Sequence, residues 1–141
     1  MNDVRGYVFE ALTVGMTASQ ARTVTDADIV LYAGISGDNN PVHMNEEYAK
    51  GTTFGGRIAH GMLSAGFISA VLGTKLPGPG CIYVSQSLRF KAPVRVGDTV
   101  AAKVELTELN PEKKRATFRT TCTVMGTVVI DGEATLLIPA G

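Results

Sequence analysis

Apolar positions recur in more than one rhythm along the chain, and each rhythm predicts a different element. From Ile58 to Gly73 nearly every position is apolar or small and no polar face emerges, so this stretch reads as a helix that has to be wrapped by other structure. Leu76-Pro77-Gly78-Pro79-Gly80 follows and ends it with strong breakers. Beyond Gly80 the period becomes two. Ile82, Val84, Leu88 and Phe90 alternate with Tyr83, Ser85, Ser87 and Arg89, broken only at Gln86. Val100, Ala102, Val104 and Leu106 then oppose Lys103, Glu105 and Thr107. A polar connection, Asn110-Pro111-Glu112-Lys113-Lys114, leads to a third run in which Ala116, Phe118, Cys122 and Val124 oppose Thr117, Arg119 and Thr123. Met125-Gly126 turns into a fourth run with Val128, Ile130, Ala134, Leu136 and Ile138 on one face. Strands with one apolar face each, following a wholly apolar helix, pack most economically as an antiparallel sheet curled around that helix, which makes an α+β domain.

Ahead of the apolar helix the signals are caps and turns. Thr25, with Asp28 three residues on and Ile29, Leu31, Tyr32 and Ala33 behind it, predicts a capped short helix ending near Gly34. The run from Ser36 to His43 is dense in turn formers, and Asn45 before Glu46 and Glu47 predicts the cap of another short helix. A polar loop is therefore held between two helices.

Composition narrows the classes. A length of 141 residues suits one domain, 1–141, at about 100 to 200 residues per domain, and no repeat or linker divides it. Thirteen Lys+Arg balance thirteen Asp+Glu, so no long-range field favours nucleic acid or an anionic membrane as partner. Hydrophobic residues at 45% and charged residues at 18% exclude a disordered chain. The two cysteines, Cys81 and Cys122, form no Cys-x-x-Cys pair, which argues against a disulfide framework or a cysteine zinc site and for reduced thiols. Met1 to Glu10 lacks the apolar core of an export signal, so a cytoplasmic location is expected. The uncharged stretch from Ile58 to Thr74 holds His60, Ser64 and Ser69 and falls short of the roughly 20 apolar residues that span a bilayer.

Only two histidines occur, His43 and His60, each beside unusual turn or glycine chemistry. Asp38 and His43 share one loop stiffened by Pro41, and a carboxylate and an imidazole so placed can divide a proton-transfer task. Alternatively, Asp38 and Asn40 only bond nearby backbone amides as Asx-turns. His60-Gly61 opens the apolar helix, where free N–H groups and the dipole favour developing negative charge, and Gly61 would let a substrate oxygen reach its amide unobstructed. The alternative is that Gly61 only permits close packing. Ser64 and Ser69 lack a nucleophile-elbow context, the cysteines read as packing residues, and no phosphate loop follows Gly80.

Ser36-Gly-Asp-Asn-Asn-Pro-Val-His43 resembles the hydratase-2 motif of the MaoC-like, (R)-specific enoyl-CoA hydratases. Phe54-Gly-Gly-Arg-Ile-Ala-His-Gly-Met62 and Ser85-Gln-Ser-Leu-Arg-Phe-Lys-Ala-Pro-Val-Arg-Val-Gly-Asp98 resemble the same family's later segments, so the resemblance covers nearly the whole chain. The run from Gly80 to Ser87 is most similar to the short bacterial hydratases that supply (R)-3-hydroxyacyl-CoA for polyhydroxyalkanoate synthesis. The resemblance implies the hot-dog fold, a homodimer paired through its sheets, and reversible hydration of trans-2-enoyl-CoA. It assigns the acid/base pair to Asp38 and His43, the oxyanion contact to the Gly61 N–H, loop or water support to Asn40, and a mostly structural role bordering the thioester to His60. It implies no metal and no cofactor, coenzyme A being part of the substrate. The competing readings are a 3-hydroxyacyl-[acyl carrier protein] dehydratase, for which Arg89, Lys91 and Arg95 could form a basic rim, a hot-dog thioesterase, and a non-catalytic acyl-CoA-binding protein.

Overall fold

The computed structural model of the chain describes residues 4–141; Met1 to Asp3, which begin both the expected domain and the segment read for an export signal, lie outside the described residues. A 3-10 turn (Phe9–Ala11) precedes strand β1 (Thr17–Thr23), and three helices follow, α1 (Asp26–Ser36), α2 (Pro41–Met44) and α3 (Glu46–Lys50). The long helix α4 (Gly61–Thr74) leads into β2 (Ile82–Phe90), β3 (Thr99–Asn110), β4 (Arg115–Val124) and β5 (Thr127–Leu137). All five strands pair antiparallel in the order β1-β3-β4-β5-β2. Helix α4 packs on β3, β1, β4 and β5, which is the hot-dog arrangement.

The alternating runs on β3 and β4 explain the core. Val100, Ala102, Val104, Leu106, Ala116, Phe118 and Cys122 are fully buried and meet Ile68, Val71 and Leu72 of α4, also fully buried. Each large side chain buried there contributes about 1.5 to 3 kcal/mol of transfer free energy. At the far end of β4, Met125 (φ 48°) and Gly126 (φ 82°) make the tight turn into β5 in the left-handed region that two-residue hairpins require.

Several expectations need correction. Strand β1, Thr-Ala-Ser-Gln-Ala-Arg-Thr, was not predicted; it is an edge strand paired with β3 alone, mostly exposed and without an apolar alternation to betray it. Helix α1 runs past Gly34 to Ser36, because the residue that takes the left-handed C-cap is Gly37 (φ 79°), whose N–H donates to the Ala33 carbonyl at 2.9 Å. The loop from Ser36 to His43 is half helical, since Asn40 caps α2 and Pro41 occupies its first turn. A register shift between Cys122 and Thr123 inserts one residue in β5, so Val129 and not Val128 turns inward. The apolar helix begins at Gly61, not Ile58, and is not enclosed on all sides. Met62, Gly66, Ser69 and Gly73 leave a stripe in water. Beside that stripe, edge strand β2 exposes Ile82, Val84 and Phe90, the residues predicted to face the core, because α4 packs on the other four strands. A cavity of about 430 Å³ lies between stripe and strand.

Candidate active site

The polar loop is built residue by residue from its own sequence. Ser36 Oγ donates to the Tyr32 carbonyl at 2.6 Å and accepts from the Asp38 amide at 3.1 Å. Asp38 Oδ1 accepts from the Asn40 amide at 3.4 Å, and Asn40 Oδ1 accepts from the Val42 amide at 3.2 Å, where it caps α2. The Asx-turn bonds left as an alternative are therefore present, and they aim the loop rather than use it up. Helix α2 then carries His43 inward, where it is 8% exposed.

Both histidines are held by backbone carbonyls. His43 Nδ1 lies 2.8 Å from the Ile58 carbonyl, which can only accept, so Nδ1 carries the proton and Nε2 offers its lone pair in the neutral ring. His60 Nε2 likewise donates to the Asp38 carbonyl at 2.8 Å, pinning the backbone of the residue whose carboxylate matters. The His60 ring lies against His43, with centroids 3.9 Å apart, and against Tyr32, at 4.7 Å. One donor atom from each of Asp38, His43 and His60 falls within 4.8 Å of the others, so among the described residues these three would be the group able to share a metal ion.

Asp38, His43, His60, Gly61 and Ser64 line one side of a cavity of about 400 Å³, faced by the apolar side chains of Phe54, Ile58, Phe90, Val94 and Ile130. Gly61 is the first residue of α4, and its N-cap, His60, supplies no side-chain cap, so the helix opens toward the cavity with uncapped N–H groups. A Cβ on Gly61 would sit 2.5 and 2.6 Å from two ring carbons of Phe90. Gly61 thus serves both readings: it admits the Phe90 ring and leaves backbone bare at the cavity wall. Asn40 is the one predicted site residue outside that wall; its side chain holds the loop.

Three residues were beyond sequence reasoning as site members. Arg57 donates through Nε to the His43 carbonyl at 2.6 Å and through Nη2 to Asp26 Oδ1 at 2.7 Å, bolting α2 to the start of α1. Ser64, set aside as a nucleophile, is 1% exposed, and its hydroxyl has no hydrogen-bond partner. Phe90 was assigned to the core and instead closes on Gly61. Of the three basic residues offered as a rim, Lys91 lines the cavity and approaches Asp131 at 3.9 Å, Arg95 bonds the Phe54 carbonyl, and Arg89 stands on β2 opposite Asp131. Cys122 donates its thiol to the Ser64 carbonyl at 3.5 Å, and burial pushes that thiol up to about 12, in keeping with a packing residue.

Known proteins resemble this chain in sequence and in backbone. The MaoC like domain model matches residues 10–131. The chain is 64% identical over 139 residues to an (R)-specific enoyl-CoA hydratase of Rhodospirillum rubrum, covering 99% of this chain and 96% of that protein. It is 52% identical over 137 residues to a 3-hydroxybutyryl-CoA dehydratase of Methylorubrum extorquens, covering 97% and 87%. Among solved structures, the unliganded R-hydratase PhaJ1 of Pseudomonas aeruginosa superposes with a TM-score of 0.91 at 42% identity, over 98% of this chain and 89% of that one. The (R)-hydratase of A. caviae involved in PHA biosynthesis gives a TM-score of 0.89 at 41% identity, over 92% and 99%. Shared sequence along nearly the whole chain and a shared overall backbone make this protein a member of the MaoC-like domain family.

Proposed function

We propose that this chain is an (R)-specific enoyl-CoA hydratase, adding water reversibly and syn across trans-2-enoyl-CoA to give (R)-3-hydroxyacyl-CoA. The observation that carries the proposal is one cavity lined by Asp38, by His43, whose Nδ1 is taken up by the Ile58 carbonyl so that Nε2 is left free, and by the bare start of α4 at Gly61. Hydration has to take a proton from water, add hydroxide to Cβ, return a proton to Cα and steady the thioester oxygen while it carries enolate charge. His43 Nε2, with its open lone pair, takes the water proton while Asp38 accepts the water's second hydrogen bond and orients it. Return of that proton to Cα from the same pair delivers both new bonds to one face. The Gly61 N–H receives the thioester oxygen. Positioned acid/base groups contribute about 10² to 10⁴-fold each and an oxyanion donor roughly 10² to 10³-fold, so no one of the three suffices.

Asp38→Asn and His43→Ala should each abolish most crotonyl-CoA hydration, followed as loss of enoyl absorbance, while circular dichroism stays native. Unchanged turnover in both variants would refute the assignment. The reaction proposed needs no metal or redox cofactor, so dialysis against EDTA should leave turnover intact. Matched CoA and carrier-protein substrates compared by kcat/KM separate the hydratase from the carrier-protein dehydratase.

The proposed enzyme is a homodimer built from one domain per chain. Its support is the stripe of Met62, Gly66 and Ser69 lying beside the unpaired edge of β2, with Ile82 and Val84 exposed next to it. A cytoplasmic location is supported by the two free thiols. Among the described residues no helix is long and apolar enough to cross a membrane.

A further inference from the structure

The described residues contain two buried side-chain polar atoms with no hydrogen-bond partner, His60 Nδ1 and Ser64 Oγ, and both residues line the cavity that holds Asp38 and His43. They are complementary. The Asp38 carbonyl obliges His60 Nε2 to carry its proton, so Nδ1 is a bare acceptor, whereas the Ser64 hydroxyl is both donor and acceptor. They also stand four residues apart at the start of α4, where a helical side chain leans back over the preceding turn and so brings Ser64 Oγ toward His60. Ser64 is held in place by its neighbours, since its carbonyl accepts the Cys122 thiol. Two unpaired polar atoms buried beside a cavity are costly, and one ordered water bonded to both would relieve them.

We propose that this spot binds a water molecule distinct from the one consumed in hydration. It donates to His60 Nδ1 and accepts from Ser64 Oγ. One O–H of that water remains for whatever fills the cavity. Its effect is on His60: a donor at Nδ1 keeps the ring in the tautomer whose Nε2–H holds the Asp38 carbonyl, and Ser64 is thereby a positioning residue acting through His60.

The water and the tautomer stand on their own, whereas their effect on turnover rests on the hydratase reading, so the test separates them. A high-resolution crystal structure should show a water oxygen within about 3.2 Å of both atoms, and ¹⁵N NMR of the imidazoles should show His60 protonated at Nε2. In Ser64→Ala the water should be lost and the His60 nitrogen signals should shift. The kcat for crotonyl-CoA should fall roughly tenfold with KM little changed, and Ser64→Thr should restore both. Density showing Ser64 Oγ bonded to a backbone carbonyl with no water at Nδ1 would overturn the proposal, as would unaltered His60 signals in Ser64→Ala. If wild-type protein hydrates no enoyl thioester, the functional reading fails while density and NMR still decide the water.

Discussion

The inner face of β3 and β4 and the polar corner at the start of α4, where His43 and His60 are buried and Asp38 is exposed, are built on opposite principles. On the sheet, Val100, Leu106 and Phe118 are held by area and shape, and trimming any one of them loses its burial and leaves a cavity. In the corner, His43, His60 and Arg57 are held by directed bonds to particular carbonyls, that of Asp38 among them, so removing one group leaves another unsatisfied. The first region makes the fold; the second spends stability on placing groups that can react.

That contrast can be broken most sharply by trimming the sheet. Phe118→Ala should cost about 3 to 5 kcal/mol in urea unfolding, while the kcat of the protein that remains folded should be near wild type. His43→Ala, by contrast, should lose its turnover and keep most of its unfolding midpoint. Similar stability losses in the two variants would erase the distinction. A smaller effect is expected where the regions meet. Gly61→Ala should cost about 1 to 3 kcal/mol through overpacking against the Phe90 ring, and the double variant with Phe90→Ala should recover part of that loss. Strict additivity in that cycle would mean the ring moves away freely.

Smaller still is the cap of α1, where the Thr25 hydroxyl accepts from the Asp28 amide at 3.2 Å and the Asp28 carboxylate accepts from the Thr25 amide at 2.9 Å. Thr25→Ala should cost about 1 kcal/mol by thermal unfolding. The backbone bond from Thr25 holds the Asp28 carboxyl below its ordinary range. Its contribution is therefore present above the unfolded value of about 3.9 and lost as pH falls through the lower folded value. The melting-temperature gap between wild type and Asp28→Asn should accordingly close in acid below about pH 4. The least perturbing probe is thiol labelling at neutral pH: Cys81, half-buried, should react in the native protein, and Cys122 only on unfolding. Equal rates would show that the sheet face opens as readily as the surface.

Much of both regions was legible beforehand, for local reasons. The capping box at Thr25, the alternation through Val100 to Leu106 and the Met125-Gly126 turn each express a rule that acts within a few residues. The misses are positions where the rule was overridden from afar. Val129 displaces Val128 because of a bulge against β4, Phe90 leaves the core because β2 lies at the edge of the sheet, and β1 is a strand because β3 offers it a partner. Asp38, His43 and Gly61 could be picked out as chemistry because the loop and the helix start are sequence-local. Arg57 could not, since its partners His43 and Asp26 lie 14 and 31 residues away.

The order of residues by itself determined the periods, the caps and the turn that presents Asp38 beside His43, because those depend on torsional and hydrogen-bonding preferences of near neighbours. Tertiary structure decided which face of each element met the core, which tautomer each histidine holds, and that Ser64 was left without a partner at the cavity wall. These depend on carbonyls and rings brought together across the chain by packing, and distance along the sequence carries no record of them.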